Sequence, residues 1–265
     1  VYVNTVNYGH DISPEPDKKF KDRYAMTSQS PAFPVLGFPV HLCEDYTNWV
    51  ATRMQEGIGT HVVTLNAEMV MQGRQHEALA GVMRSAEVVI PDGAGVVLYL
   101  RSQGIRSRRC PGIELAAALI EVAADQGQSL FFYGGTPEVA AAAAARWQQK
   151  FPNLHLTSQH GFIPPEQMPQ LLDQLQKHQP RLILVGLGVP RQELWIAQHR
   201  HLCPHSTWIG VGGSFDIWAG VKSRAPKFLR ENNLEWLYRL YKEPWRWRRM
   251  LALPKFAILA MLNRS

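Results

Sequence analysis

Leu182-Ile183-Leu184-Val185-Gly186-Leu187-Gly188-Val189-Pro190-Arg191-Gln192-Glu193 holds the plan of the chain in one stretch. Four consecutive apolar residues suit a buried strand, the glycines turn the chain, and Pro190 opens a helix because its fixed φ is already helical. The pattern recurs on both sides. His61-Val62-Val63 runs into Thr64-Leu65-Asn66, and Val88-Val89-Ile90 into Pro91-Asp92-Gly93. Leu130-Phe131-Phe132-Tyr133 runs into Gly134-Gly135-Thr136-Pro137, and Trp208-Ile209 into Gly210-Val211-Gly212-Gly213. In an open α/β sheet, ligands bind outside the carboxyl ends of the strands. Repeated loops of this kind point to a small-molecule site for an anionic or nucleotide ligand.

Between the loops the sequence predicts helices over residues 44–56, from Asn66 through Arg84, from Asp92 to about Ser102, over 112–124, over 137–150 and from Pro165. A first strand is expected at 35–40 and a short one near 154–157. This alternation predicts an α/β fold, a Rossmann-like and mostly parallel sheet with helices on both faces. From Pro226 the pattern is helical only, over 234–241 and 244–262, with Trp236, Tyr238, Tyr241, Trp245 and Trp247 among arginines. The expected organisation is a mobile polar tail (1–31), an α/β catalytic core (32–225) and a basic, Trp-rich helical appendage (226–265).

The 265 residues, 46% hydrophobic and 19% charged, are ordinary for a soluble globular protein. Cys43, Cys110 and Cys203 are scattered, odd in number and form no CxxC, which fits a reducing compartment. His199, His201, Cys203 and His205 cluster without the spacing of a tetrahedral site, so no metal is expected there. The charge is uneven. Residues from Lys222 onward carry a net +8 and the rest −2, which suggests a polyanionic partner: an acidic membrane surface, a nucleic acid or a phosphorylated substrate. No apolar run reaches the roughly 18 residues of a spanning helix. The longest, 250–262, is interrupted by Pro254 and Lys255, and no apolar leader is expected at the N-terminus.

Asp92 has two readings, a helix N-cap or a general base at a strand end. Thr64 and Asn66 alternate onto one side, where they could bond a ligand hydroxyl or simply cap the next helix. Gly134, Gly135, Gly186 and Gly188 could cradle a phosphate, yet tight turns explain them equally, and neither loop makes GxGxxG or carries a Walker lysine. Gln192 and Glu193 begin the helix after Pro190, where the plainest readings are a solvated surface position for Gln192 and a favourable first-turn charge for Glu193. Arg246 and Arg249 share a helix face, with Arg239 upstream, and guanidiniums suit phosphates. No DxD occurs anywhere, so arginines are the available countercharge for a diphosphate.

These blocks in this order resemble one family. Thr-x-Asn, Pro-Asp-Gly and Arg109-Cys110-Pro111-Gly112 come first. The Gly-Gly loop and Val185 to Glu193 follow, then Gly210-Val211-Gly212-Gly213-Ser214-Phe215-Asp216 and Arg224-Ala225-Pro226. Leu234-Glu235-Trp236-Leu237-Tyr238-Arg239-Leu240, Glu243-Pro244 and Arg246 close the series. Together they are similar to the WecG/TagA/CpsF glycosyltransferases (glycosyltransferase family 26) from about Phe33 to the C-terminus. The resemblance implies inverting transfer of N-acetylmannosamine or a related sugar from a UDP-sugar to a polyprenyl-diphosphate-linked sugar. It implies work without metal or other cofactor, on the cytoplasmic membrane face, in cell-surface polysaccharide synthesis. It makes Asp92 the base, with Thr64 and Asn66 beside it, and places Arg109 and Gln192 in the pocket. Arg239, Arg246 and Arg249 would lie on an appendage that closes over the site and touches an anionic membrane surface. Cys110 departs from the family's more usual valine. Glucose and N-acetylmannosaminuronic acid stay open as donor sugars, and a homo-oligomer stays open. A nicotinamide dehydrogenase would need a glycine fingerprint after the first strand, where Leu36-Gly37-Phe38-Pro39 offers none. A nucleic-acid-binding protein would leave the strand-end loops unexplained.

Overall fold

The computed structural model describes residues 31–263; the expected N-terminal tail, but for Pro31, lies outside them. Six parallel strands form the central sheet: β3 (Thr60–Leu65), β4 (Val88–Pro91), β5 (Leu130–Gly134), β6 (Leu156–Gln159), β7 (Leu182–Gly186) and β8 (Thr207–Gly210). Their order across the sheet is β4-β3-β8-β7-β5-β6. Side chains alternate between the two faces, as a pleated strand requires. On one face Val62, Ile90, Phe132, Leu184 and Ile209 meet α1 (Tyr46–Gln55), α5 (Gly112–Asp125), α6 (Pro137–Lys150) and α9 (Ser214–Trp218). The other face divides. Val63, Leu65 and Val89 pack under α2 (Ala67–Gly73), α3 (Glu77–Ser85) and α4 (Ala94–Ser102). Phe131, Tyr133, Ile183 and Trp208 pack under α7 (Met168–His178) and α8 (Arg191–His199). The inner strands are buried on both sides because both faces are covered, whereas the edge strand β6 (Leu-Thr-Ser-Gln) is mostly polar.

Three local readings are corrected. The expected first strand at 35–40 is a hairpin of β1 (Ala32–Val35) and β2 (Phe38–His41), outside the main sheet. Leu36 and Gly37 form its two-residue turn with φ of +49° and +93°, the positive pair that matches strand twist in a hairpin. The hairpin shields the edge of β4, where the Val89 amide donates to His41 Nδ1 at 2.9 Å. The strand expected near 154–157 starts two residues later, because Leu154 N–H is held in a turn by the Phe151 carbonyl after α6. The helix expected over 244–262 is broken into a single turn at Pro244–Arg246, α12 (Trp247–Met250) and α13 (Ala252–Leu262). Pro254 sits in the first turn of α13, where a missing N–H costs nothing.

The C-terminal helices begin with α10 (Lys227–Glu231) and α11 (Glu235–Lys242). Arg224 and Arg230 both reach Glu114 on α5, at 2.6 and 3.3 Å. Helix α13 then lies against α2 and α4. Its anchor is Phe256, 3% exposed, which meets Tyr99 edge-on and covers Gly95.

Candidate active site

Parallel pairing of Leu65 with Pro91 brings the ends of β3 and β4 side by side. The amides of Asp92 and Gly93 both donate to the Leu65 carbonyl, at 3.0 and 3.3 Å, which fixes the Pro-Asp-Gly turn. Asp92 is not the cap of α4: Gly93 holds that position with no side-chain cap bond. Its carboxyl instead faces a cavity of about 690 Å³ enclosed by the two strand ends, α4 and the C-terminal helices. Asn66 also lines the cavity, while its side-chain oxygen caps α2 by accepting from the Met69 amide at 3.0 Å.

Cations gather at the polar end of this cavity. Arg109 donates from Nε to the Asp92 carbonyl at 2.5 Å and from Nη2 to Glu235 at 2.7 Å, with Asp92 Oδ1 3.8 Å from the same Nη2. Arg239, Arg246 and Arg249 line the wall supplied by the appendage. Each is held by a carboxylate: Arg239 by Glu235 at 2.8 Å, Arg246 by Glu243 at 2.7 Å and Arg249 by Glu68 at 2.5 Å. The Nε of Arg246 is buried with no acceptor among the described residues. Burial pushes the Asp92 carboxyl above the usual carboxylate range and Glu235 adds to this, while Arg109, Arg239 and the Gly112 amide pull it down. For Glu235 burial also opposes the charge, but Arg239 and Arg109 outweigh it and hold the group below the usual range.

The opposite end is apolar. Leu98 and Tyr99 of α4 face Met250, Leu253, Phe256 and Ala260 of the appendage. The cavity is therefore amphipathic, with a carboxylate and arginines in one part of its lining and aliphatic and aromatic side chains in another.

The structure thus brings together Asp92, Asn66, Arg109, Arg239, Arg246 and Arg249, which sequence reading singled out. Thr64 lies beneath the cavity rather than on it. Its hydroxyl is 3.5 Å from the Gly210 carbonyl, and its methyl group abuts Gly112, where any Cβ would come within 2.6 Å. Gln192 is not a solvated surface residue but 2% exposed. Its Oε1 accepts from the Gly188 and Gly212 amides at 3.1 and 3.0 Å, tying the β7 and β8 loops together. Glu193 is wholly buried against His61 Nε2 at 2.8 Å, so it is no first-turn surface charge. Gly134 and Gly186 sit where neighbouring backbones nearly touch, and an added Cβ at Gly134 would fall 2.4 Å from the Gly186 oxygen. They, with Gly135 and Gly188, lie at or just past the carboxyl ends of β5 and β7 but off the lining of this cavity. Glu235, Glu68 and Glu243 are the residues sequence reading passed over. The i,i+4 spacing of Glu235 and Arg239 was visible; the reach to Arg109 was not. Among the described residues no three of His, Cys, Asp and Glu converge as a metal site.

A parallel α/β sheet with a strand-end carboxylate, facing arginines and a helical cover is the architecture of a nucleotide-sugar-type transferase. The chain belongs to the glycosyl transferase WecG/TagA/CpsF family, whose model matches residues 33–265. It is 35% identical over 217 residues (81% of this chain, 83% of the relative) to an N-acetylglucosaminyldiphosphoundecaprenol N-acetyl-beta-D-mannosaminyltransferase of Bacillus spizizenii. Proteins of the same description in Bacillus subtilis and Staphylococcus aureus are 32% and 34% identical, over 210 and 223 residues. Those matches cover 78% of this chain and 81% of the first relative, and 80% of this chain and 87% of the second.

Proposed function

We propose that this hexosyltransferase moves N-acetylmannosamine from a UDP-sugar to N-acetylglucosamine carried on a polyprenyl diphosphate, with inversion at C1. The observation that carries the reading is the amphipathic cavity. One end offers a base and diphosphate-binding arginines, the other a channel for hydrocarbon, and a sugar on a lipid diphosphate needs both. The names of the relatives supply the sugars.

The chemistry follows from the groups in place. An acceptor hydroxyl attacks C1 from the face opposite the nucleotide. Its proton passes to the Asp92 carboxylate, the new C1–O bond forms, and the bond from C1 to the diphosphate oxygen breaks with its electron pair leaving on UDP. A single displacement needs one base, and the raised proton affinity of Asp92 suits it to the task. Charge grows on the departing diphosphate, where prepositioned guanidiniums act most strongly. The half-exposed, carboxylate-held guanidiniums of Arg239 and Arg249 are available to it. Asn66 and Arg109 orient the sugar and the base.

The membrane side of the reading rests on the outer surface of the appendage. Tyr241, Trp245, Trp247, Ile258 and Leu262 are exposed there beside Arg248 and Lys255. Basic residues with interfacial aromatics suit an anionic lipid surface. Among the described residues no helix is long and apolar enough to cross a membrane.

The test is Asp92→Asn assayed with UDP-N-acetylmannosamine and a short-chain lipid-diphosphate acceptor. Turnover is expected to fall by two or more orders of magnitude (~10²-fold or more) with the circular dichroism spectrum unchanged. Near-normal turnover by the folded variant removes Asp92 as the base.

A further inference from the structure

We infer that Glu235 is a positioning residue for the base: carried on the appendage, it holds the Arg109 guanidinium off the Asp92 carboxylate, so that docking the appendage also readies the base. The inference rests on reading Asp92 as the base.

The geometry is a competition between two carboxylates for one guanidinium. Arg109 is anchored on the backbone of Asp92 itself, through Nε to the carbonyl at 2.5 Å. In that pose Nη2 lies between Glu235 Oε2 at 2.7 Å and Asp92 Oδ1 at 3.8 Å. The first is a strong charge-assisted hydrogen bond; the second is about an ångström too long to be one. Glu235 is itself pinned, 5% exposed and with its other oxygen on Arg239 at 2.8 Å. Take Glu235 away and a small rotation about the anchored Nε brings Nη2 onto Asp92. An aspartate paired with arginine holds its proton less tightly and is the poorer base.

Asp92 belongs to the core and Glu235 to α11, with Arg109 and Glu235 126 positions apart in the chain. The base therefore meets Glu235 only when the appendage is in place. Other groups face Asp92 too. Arg239 comes from α11, and the Gly112 amide from the start of α5. The neighbouring Cys110 thiol is pushed up to about 12, mainly by burial, and stays neutral. Arg246, Arg249 and Glu68 line the same cavity. Of these, Glu235 is the anion that takes Arg109 from Asp92.

The test reads the ionisation of Asp92 directly, in the full chain labelled with ¹³C at the aspartate carboxyls. The Asp92 signal is assigned by its loss in Asp92→Asn. Wild type, Glu235→Gln, Glu235→Asp and Glu68→Gln are titrated side by side. Glu68→Gln removes another carboxylate of the cavity, one that holds Arg249 and not Arg109, and serves as the control for loss of charge alone.

Glu235→Gln removes a nearby negative charge, which eases ionisation of Asp92, so its midpoint is expected to fall. A unit charge a few ångströms away at an effective dielectric near 20 is worth about one pH unit or more. Glu235→Asp and Glu68→Gln are expected within a few tenths of wild type. The acid limb of single-turnover transfer to a water-soluble acceptor should move the same way. An unchanged or raised midpoint in Glu235→Gln overturns the inference. So does a fall of equal size in Glu68→Gln, which would make loss of any cavity carboxylate the cause, or in Glu235→Asp, which would absolve the charge. Normal turnover by Asp92→Asn is a separate failure, of the base assignment itself.

Discussion

Phe256→Ala separates the two roles of the appendage without deleting it. The ring is 3% exposed, stacked edge-on with Tyr99 at 6.3 Å between centroids and seated over Gly95. Truncating a buried phenylalanine costs about 3–5 kcal/mol, transfer and cavity terms together. The lower figure applies, because Leu253, Leu259 and Ala260 still touch the same face of the core. Since α13 is a peripheral element, the cost falls on its docking rather than on the fold. About 3 kcal/mol is roughly a hundredfold in the docking equilibrium, at 1.4 kcal/mol per decade. Amide exchange along Ala252–Leu262 is therefore expected to accelerate about 10²-fold while the sheet strands keep their protection. Transfer to a water-soluble acceptor should fall, because α13 and the adjoining Arg249, tied to Glu68 of α2, loosen from the cavity. Binding to anionic vesicles should persist, because the basic and aromatic residues remain on the chain. Phe256→Leu should lie between, costing about 1.5 kcal/mol or less. If α13 exchanges a hundredfold faster and transfer is untouched, docking is not part of catalysis. If exchange does not change, Phe256 is not the anchor.

Transfer is expected to survive EDTA, since guanidiniums stand where a diphosphate's countercharge is required; loss in EDTA with rescue by magnesium or manganese would defeat this. Glu193→Ala leaves His61 Nε2 and Gln192 Nε2 buried without their acceptor, a loss of about 3 kcal/mol. Its melting temperature should drop by about 10 °C, and a drop under about 2 °C would show the pair to be dispensable.

The sheet was legible because each buried strand is a short apolar run that ends in glycine, asparagine or aspartate. What the runs lacked was any statement of who neighbours whom: β8 sits beside β7, 25 positions before it, and also beside β3, 147 positions before it. The hairpin hid because Leu36-Gly37 lacks the asparagine or aspartate that usually marks a positive-φ pair. At the site, Asp92 and the arginines stood out as residue types whose chemistry suits a diphosphate sugar. Gln192 and Glu193 misled, since polar residues at the start of a helix look solvated until the packed loop above them is known. The channel end was not legible either. Leu98, Tyr99 and Phe256 read as ordinary helix positions until α13 is laid on α4.

The pairing of Arg239, Arg246 and Arg249 each with a carboxylate bears on how the site works. A cluster of unpaired guanidiniums facing a half-enclosed cavity would repel one another and resist docking. Glu235, Glu243 and Glu68 cancel that repulsion, and two of the three travel with the appendage. The closed form can then exist before a nucleotide arrives. An incoming diphosphate meets arginines whose orientation is already set, and the exposed halves of Arg239 and Arg249 let it bind without first breaking the pairs. Ordering long side chains is a large part of what a polar contact costs. Here the carboxylates bear that cost during folding, so more of the diphosphate's binding energy is left for the leaving group as the bond to C1 breaks.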